Sequence, residues 1–257
     1  MAPIKHRSRI HLLAAKEAPT VVILQRKRAK LFHIITVDTE KHWVKQGSWF
    51  RGRLYEMKCD ISFDGEFMVY LAIGKGSGKF ASWSGLCRLP WLKTLVESET
   101  PGSNWGGGYF ADRKVLITNG WKKVSPAADI PFTLTPEPLT YFAAENRGVL
   151  YEKFERDGFT RIGDDCWGKR PSRHHPELKV RYLGYVDGDQ FSFSLEERPD
   201  LVEGASWATW DSGKNLWVAR PGIVEQYTLD DLRGGTPSYS LDVDQFEPPT
   251  KPIGRVE

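Results

Sequence analysis

At 257 residues, with 40% hydrophobic and 27% charged side chains, the chain is long enough to bury a core and reads as globular rather than disordered. A net charge of +3 is too small for a protein held to nucleic acid by bulk charge, and no stretch approaches the roughly 20 apolar residues that span a bilayer. Three cysteines, Cys59, Cys87 and Cys166, are too few for a disulfide framework, so a reducing compartment, the cytoplasm, is expected.

The N-terminal residues are basic, with Lys5, His6, Arg7 and Arg9 close together. The apolar run that follows, Ile10 to Ala15, is broken by His11 and is too short for the core of a signal peptide. Residues 1–9 are therefore expected to form a basic tail, 10–245 one domain, and the Pro-rich 246–257 a second tail. From Val21 onward the pattern is that of strands. VVILQ (21–25), LFHIITVD (31–38) and WVKQGSWF (43–50) are apolar or alternating runs joined by the short polar turns KRAK and TEKH, an antiparallel meander. In SFDGEFMVYLA (62–72), Asp64-Gly65 sets a tight turn between two further strands, because glycine tolerates positive φ and aspartate bonds its own backbone. Helical periodicity is scarce, with short helices expected only at Leu89 to Val96 and Leu229 to Leu232.

The turn-then-strand unit recurs. GYFADRKVLITNG (108–120) and SWATWDSGKNLWVAR (206–220) repeat it, and LAAKEAPTVVIL (13–24) begins the series. With Ala15, Phe63, Phe110 and Trp210 as equivalent points, the steps are 48, 47 and 100 residues, the last close to two units. The missing unit should lie near residue 160, where GVLYEKFERDGFTRIG (148–163) offers Arg156-Asp157-Gly158 as its turn. Residues 122–140 and 164–178 read as a Pro-rich excursion and a long polar loop. A period near 48 in all-β sequence predicts a single β-propeller of about five four-stranded blades, with a two-sheet β-sandwich as the alternative. A terminal strand, YSLDV (239–243) or HLLA (11–14), is expected to pair with the opposite end of the chain and close the ring.

Ser62, Asp64, Gly65 and Met68 to Tyr70 resemble the Ser-x-Asp-Gly-x-x-apolar hairpin of TolB-like and tryptophan–aspartate-repeat propellers. Residues Trp210 to Val218 match it in part, and no copy carries the Gly-His then Trp-Asp signature. The resemblance implies a repeat class and a fold, with no activity attached.

Several constellations invite a chemical reading. GKGSGK (74–79) lacks the spacing, the Ser or Thr and the following helix of a phosphate loop, and reads as a hairpin loop. Asp165, Trp167, Arg170, Arg173, His174 and His175 make the most polar cluster, on a loop suited to docking a partner. Its metal-type ligands lack a second pair at zinc spacing, so no metal or other cofactor is expected. In NWGGGYF (104–110), three glycines between aromatics mark either a tight bend or a pocket wall on which Trp105 and Tyr109 stack on a sugar or base. Asp60, Asp64, Asp112 and Asp211 fall near equivalent points of different units; they read as turn residues, or as carboxylates ringing the channel mouth for glycoside chemistry. No nucleophile–base pair stands at a recognisable spacing, and no catalytic residue is assigned. The function expected is a non-enzymatic protein-interaction scaffold within a larger complex. A carbohydrate-binding or glycoside-cleaving propeller is the alternative, and nucleic-acid contact through Lys27, Arg28 and Lys30 a weaker one.

Overall fold

The computed structural model describes residues 7–74, 81–100, 102–122, 130–137, 146–185 and 189–250. Five small sheets follow one another along the chain as a five-bladed β-propeller, so the all-β class and the fold are as the repeat predicted. The first blade is β1 (Arg9–Ala14), β2 (Thr20–Arg28), β3 (Leu31–Asp38) and β4 (Val44–Arg51). The second is β5 (Arg53–Leu54) and β6 (Asp60–Ile61), both paired with β7 (Phe67–Ile73), then β8 (Ser82–Arg88) and β9 (Thr94–Glu99). The third is β10 (Gly108–Phe110), β11 (Val115–Asn119) and β12 (Thr133–Glu137). The fourth is β13 (Thr160–Gly163), β14 (Cys166–Lys169), β15 (Leu178–Tyr185) and β16 (Asp189–Leu195). The fifth is β17 (Trp207–Trp210), β18 (Leu216–Arg220), β19 (Ile223–Tyr227) and β20 (Tyr239–Asp242).

The residue pattern explains which strands sit between blades. FMVYLAI of β7 is buried along almost its whole length, as a strand covered on both faces must be. The four equivalent points fall within two residues of the end of an inner strand. There the hairpins close through backbone hydrogen bonds from Ala15 to Thr20, Ser62 to Phe67, Ala111 to Val115 and Asp211 to Asn215.

The fourth blade is the exception. Arg156-Asp157-Gly158 is not its hairpin: Asn146–Arg156 is a helix, α1, carrying Val149, Leu150 and Phe154 on its buried side. Gly158, at φ +81, ends it. The Gly158 N–H bonds the Glu155 carbonyl (3.0 Å) and the Phe159 N–H the Phe154 carbonyl (2.8 Å), a Schellman cap. A left-handed glycine serves a hairpin and a helix end equally well, which is why Asp-Gly misleads here. The chain then enters the fourth blade from its rim. All four residues of β13 are exposed, whereas β16 lies inward, with Phe191 and Phe193 edge-on to Trp207 of β17 and the Asp189 carbonyl bonded by Arg9 of β1. Segment 164–178, expected as one polar loop, contains β14, because Trp167 and Cys166 are buried in the sheet.

Three further expectations change. Leu89 to Val96 is no helix; it is a turn followed by β9, whose Val96 packs in the second-to-third blade core. Leu229–Gly234 is one, here α2, started by a Thr228–Asp231 capping box and ended by Gly235 at φ +82. β12 runs parallel to β11, since its connection of about a dozen residues allows the crossover that a two-residue turn forbids. Among the described residues no strand is exchanged at the closure of the ring. β1 and β20 pair within their own blades, and a buried polar clasp joins the first and fifth blades. Ser8 N–H and Oγ–H bond the Asp244 carboxylate, Gln25 Nε2 reaches Ser8 Oγ (2.8 Å) and the Val243 carbonyl (3.0 Å), and Gly222 N–H bonds the Ser8 carbonyl (2.8 Å).

Candidate functional site

The axis of the ring is filled by α1. Leu150 and Phe154 join one apolar cluster with Ile10 and Leu12 of β1, Trp167 of β14 and Trp207 of β17, and Phe154 stacks on Trp207 at 6.4 Å. The sequence pattern reads as a strand-turn unit over 148–163 and names no helix there; the inner strands decide that α1 lies on the axis. A charged group anchors it. Arg156 donates to both oxygens of Asp60 on β6 and to the Phe110 carbonyl (2.8 Å), and also to both oxygens of Asp157 (2.8 and 3.1 Å). The Phe110 N–H completes Asp60 at 2.8 Å. Burial works against the guanidinium's charge, but Asp60 and Asp157 outweigh it and raise its pKa.

Above this anchor the cavity at the mouth of the axis encloses about 240 Å³. Its wall takes the ends of β1, β6, β14 and β17, so it forms where the inner hairpins converge. Phe154, Phe159, Trp207 and Trp210 give it an aromatic lining. Five cationic side chains, Lys16, Lys153, Arg156, Lys169 and Lys214, face three carboxylates, Asp60, Asp157 and Asp211. Lys153 donates to the Cys59 carbonyl at 2.6 Å, and burial lowers its pKa, as it does for Lys169. A smaller recess of about 20 Å³ lies at the other end of the axis, beside His11 and Glu56.

Of the aspartates suggested by the repeat, Asp60 and Asp211 reach the cavity, and Asp64 and Asp112 do not line it. Asp64 accepts from Glu66 N–H (3.0 Å) and Asp112 from Lys114 N–H (2.6 Å), the local bonds of turn residues. Asp211 accepts from Asn215 N–H (2.8 Å) and from the indole of the fully buried Trp217 (2.9 Å).

The polar cluster of the fourth blade is divided. Asp165 accepts from Tyr151 of α1, and Trp167 is buried against the same helix (5.3 Å between rings). Arg170 bonds the His175 carbonyl (2.7 Å) and Glu196; Arg173 and His174 are exposed. His175 is buried, bonded to Ser172 (2.7 Å) and edge-on to Trp210 at the cavity. Among the described residues no three His, Cys, Asp or Glu side chains gather as metal ligands. Trp105 and Tyr109 are half-buried. The glycines between them serve the approach of two blades: a Cβ on Gly107 would stand 2.1 Å from the Lys58 carbonyl oxygen, and one on Gly106 2.6 Å from Ser84 Oγ. Lys27 is tied to the Phe246 carbonyl and to Glu247 (2.8 Å), while Arg28 and Lys30 are exposed. GKGSGK lies outside the described residues beyond Gly74.

No protein-family model and no curated protein matches this chain. Lys16, Lys153 and Lys169 escaped the sequence reading, and Arg156 entered it only as a turn residue. They are isolated basic residues from three elements, and only the convergence of those elements on the axis makes them a group.

Proposed function

We propose that the protein is a non-enzymatic interaction module, a subunit of a larger assembly, and that its partner docks on the outer face of the fourth blade. The observation that carries this is the one-sided burial of that sheet. Trp167 and Val180 turn inward and are buried, while Lys179, Arg181 and Leu183 of β15 and Ile162 of β13 are exposed, Leu183 at 60%. A blade in the middle of a propeller ordinarily covers both faces, so an open apolar strip flanked by cations suits a partner with apolar and acidic side chains. Arg181 makes no ion pair among the described residues. Among those residues no helix is long and apolar enough to cross a membrane. Three unpaired, buried cysteines support a reducing compartment, the cytoplasm. The carbohydrate alternative draws on Asp60 and Asp211 sharing a cavity, but both carboxylates are already bonded by buried groups.

The test is capture of tagged protein from its native lysate after nuclease treatment, with the wild type beside Leu183→Asp. A stoichiometric protein retained by the wild type and lost from the variant is expected. Absence of any such protein, or equal capture by both, would sink the proposal.

A further inference from the structure

The axial cavity differs from the docking face in place and in chemistry. Its carboxylates are spent. Asp60 is bonded by Arg156 and the Phe110 N–H, Asp157 by Arg156 and Lys16 (3.4 Å), and Asp211 by Asn215, Trp217 and Gln226. Arg156 is spent as well, since its five N–H groups are shared among Asp60, Asp157 and the Phe110 carbonyl. What the cavity still offers is ammonium groups. Lys169 has no hydrogen bond or ion pair among the described residues, only the face of Phe159 at 5.5 Å, and Lys214 at the rim has no ion pair among them. Lys153 has spent one donor of three on the Cys59 carbonyl.

From this we infer that the cavity binds a small phosphorylated molecule, with its phosphate on Lys169 and its body against Trp207 and Phe154. Two physical reasons favour phosphate. Planar, bidentate recognition of a carboxylate needs a free guanidinium fork, and the one present is saturated; separated lysines act as point charges on a group whose oxygens point several ways. Half-burial of Lys169 beside Lys16 and Arg156 disfavours its charged form, and a bound dianion would reverse that. The cavity, of about 240 Å³, has room for a compact ring bearing one phosphate.

The probes are phenyl phosphate, inorganic phosphate, phenol and benzoate, titrated by calorimetry into the whole chain at low ionic strength. Phenyl phosphate is expected to bind more tightly than the other three and to weaken as salt is added. Lys169→Gln should weaken it about tenfold or more, in line with loss of a charge-assisted bond. Lys169→Arg should retain most of it, and Lys179→Gln on the outer face should leave it unchanged. A melting curve checks that each variant is folded, and Lys214→Gln serves as the second cavity variant if Lys169→Gln is not. The inference is overturned if phenyl phosphate fails to bind at about 10 mM, a level at which affinity is biologically weak. It is also overturned if phenyl phosphate binds no better than phenol or benzoate, or if it binds the folded cavity variant as tightly as the wild type. Capture of a protein partner bears on none of these outcomes, so the two proposals fail separately.

Discussion

Replacing Arg156 by Met tests what holds α1 on the axis. Methionine keeps the length and apolar stem of arginine but removes the fork, leaving Asp60 in the core with only the Phe110 N–H. The Arg156 and Asp60 side chains are 10% and 4% exposed, so solvent cannot replace the lost bonds. Removing one partner of such a pair costs about 3–5 kcal/mol, because the other charge is left buried and unpaired. For a chain of this size that is a fall of roughly 6–20 °C in melting temperature. Asp60→Asn in the same background relieves the stranded charge, so the double variant should be more stable than Arg156→Met alone. Urea denaturation of the wild type, both single variants and the double closes the cycle, with a coupling of about 2 kcal/mol or more expected. A cost below about 1 kcal/mol for Arg156→Met would refute the reasoning. The helix would then be held by Leu150 and Phe154 alone, and the ion pair would be energetically idle.

Two other perturbations probe the blade contacts. Burial, reinforced by Lys27, lowers His33 from its usual 6.5 to about 4, so the folded ring stays neutral over a range in which the unfolded ring takes a proton. Its contribution is complete above about pH 6.5 and is lost as the pH falls toward 4; urea titrations should show that slope, and His33→Phe should flatten it. At Gly107, φ is +73 and a Cβ would meet the Lys58 carbonyl at 2.1 Å, so Gly107→Ala should cost roughly 2–4 kcal/mol. Gly102→Ala, at φ +87 but with open space around it, should cost only about 1 kcal/mol; equal costs by thermal melting would place the strain in φ and not in the approach of the two blades.

The hairpins could be read from the chain because each is a local event. Asp64-Gly65, the polar turn after Phe110 and Asp211-Ser212-Gly213 close between strands adjacent in sequence, and their spacing near 48 counts the blades. Strand β3 coincides with LFHIITVD, and Thr228 announces α2. The fourth blade could not be read in this way. Its chain runs from rim to axis, so its inner strand β16 comes last and no hairpin falls at the repeat position, where Gly158 caps a helix instead. The helix α1 was equally out of reach, because its segment reads as alternating strand around an Asp-Gly turn, and a glycine in the left-handed region ends a helix as readily as it closes a hairpin.

The sequence by itself determined the all-β class, the repeat and most of the hairpins, since turn chemistry and apolar alternation act over a few residues. Only the tertiary structure decided that Lys16, Lys153 and Lys169 share one cavity and that Asp60 is an anchor rather than a turn residue. The same holds for the ring's closure, made by Ser8, Gln25 and Asp244 rather than by an exchanged strand. The physical reason is the same each time: these groups lie tens to hundreds of residues apart, and the packing of inner strands around an axial helix brings them together, leaving no local pattern to read.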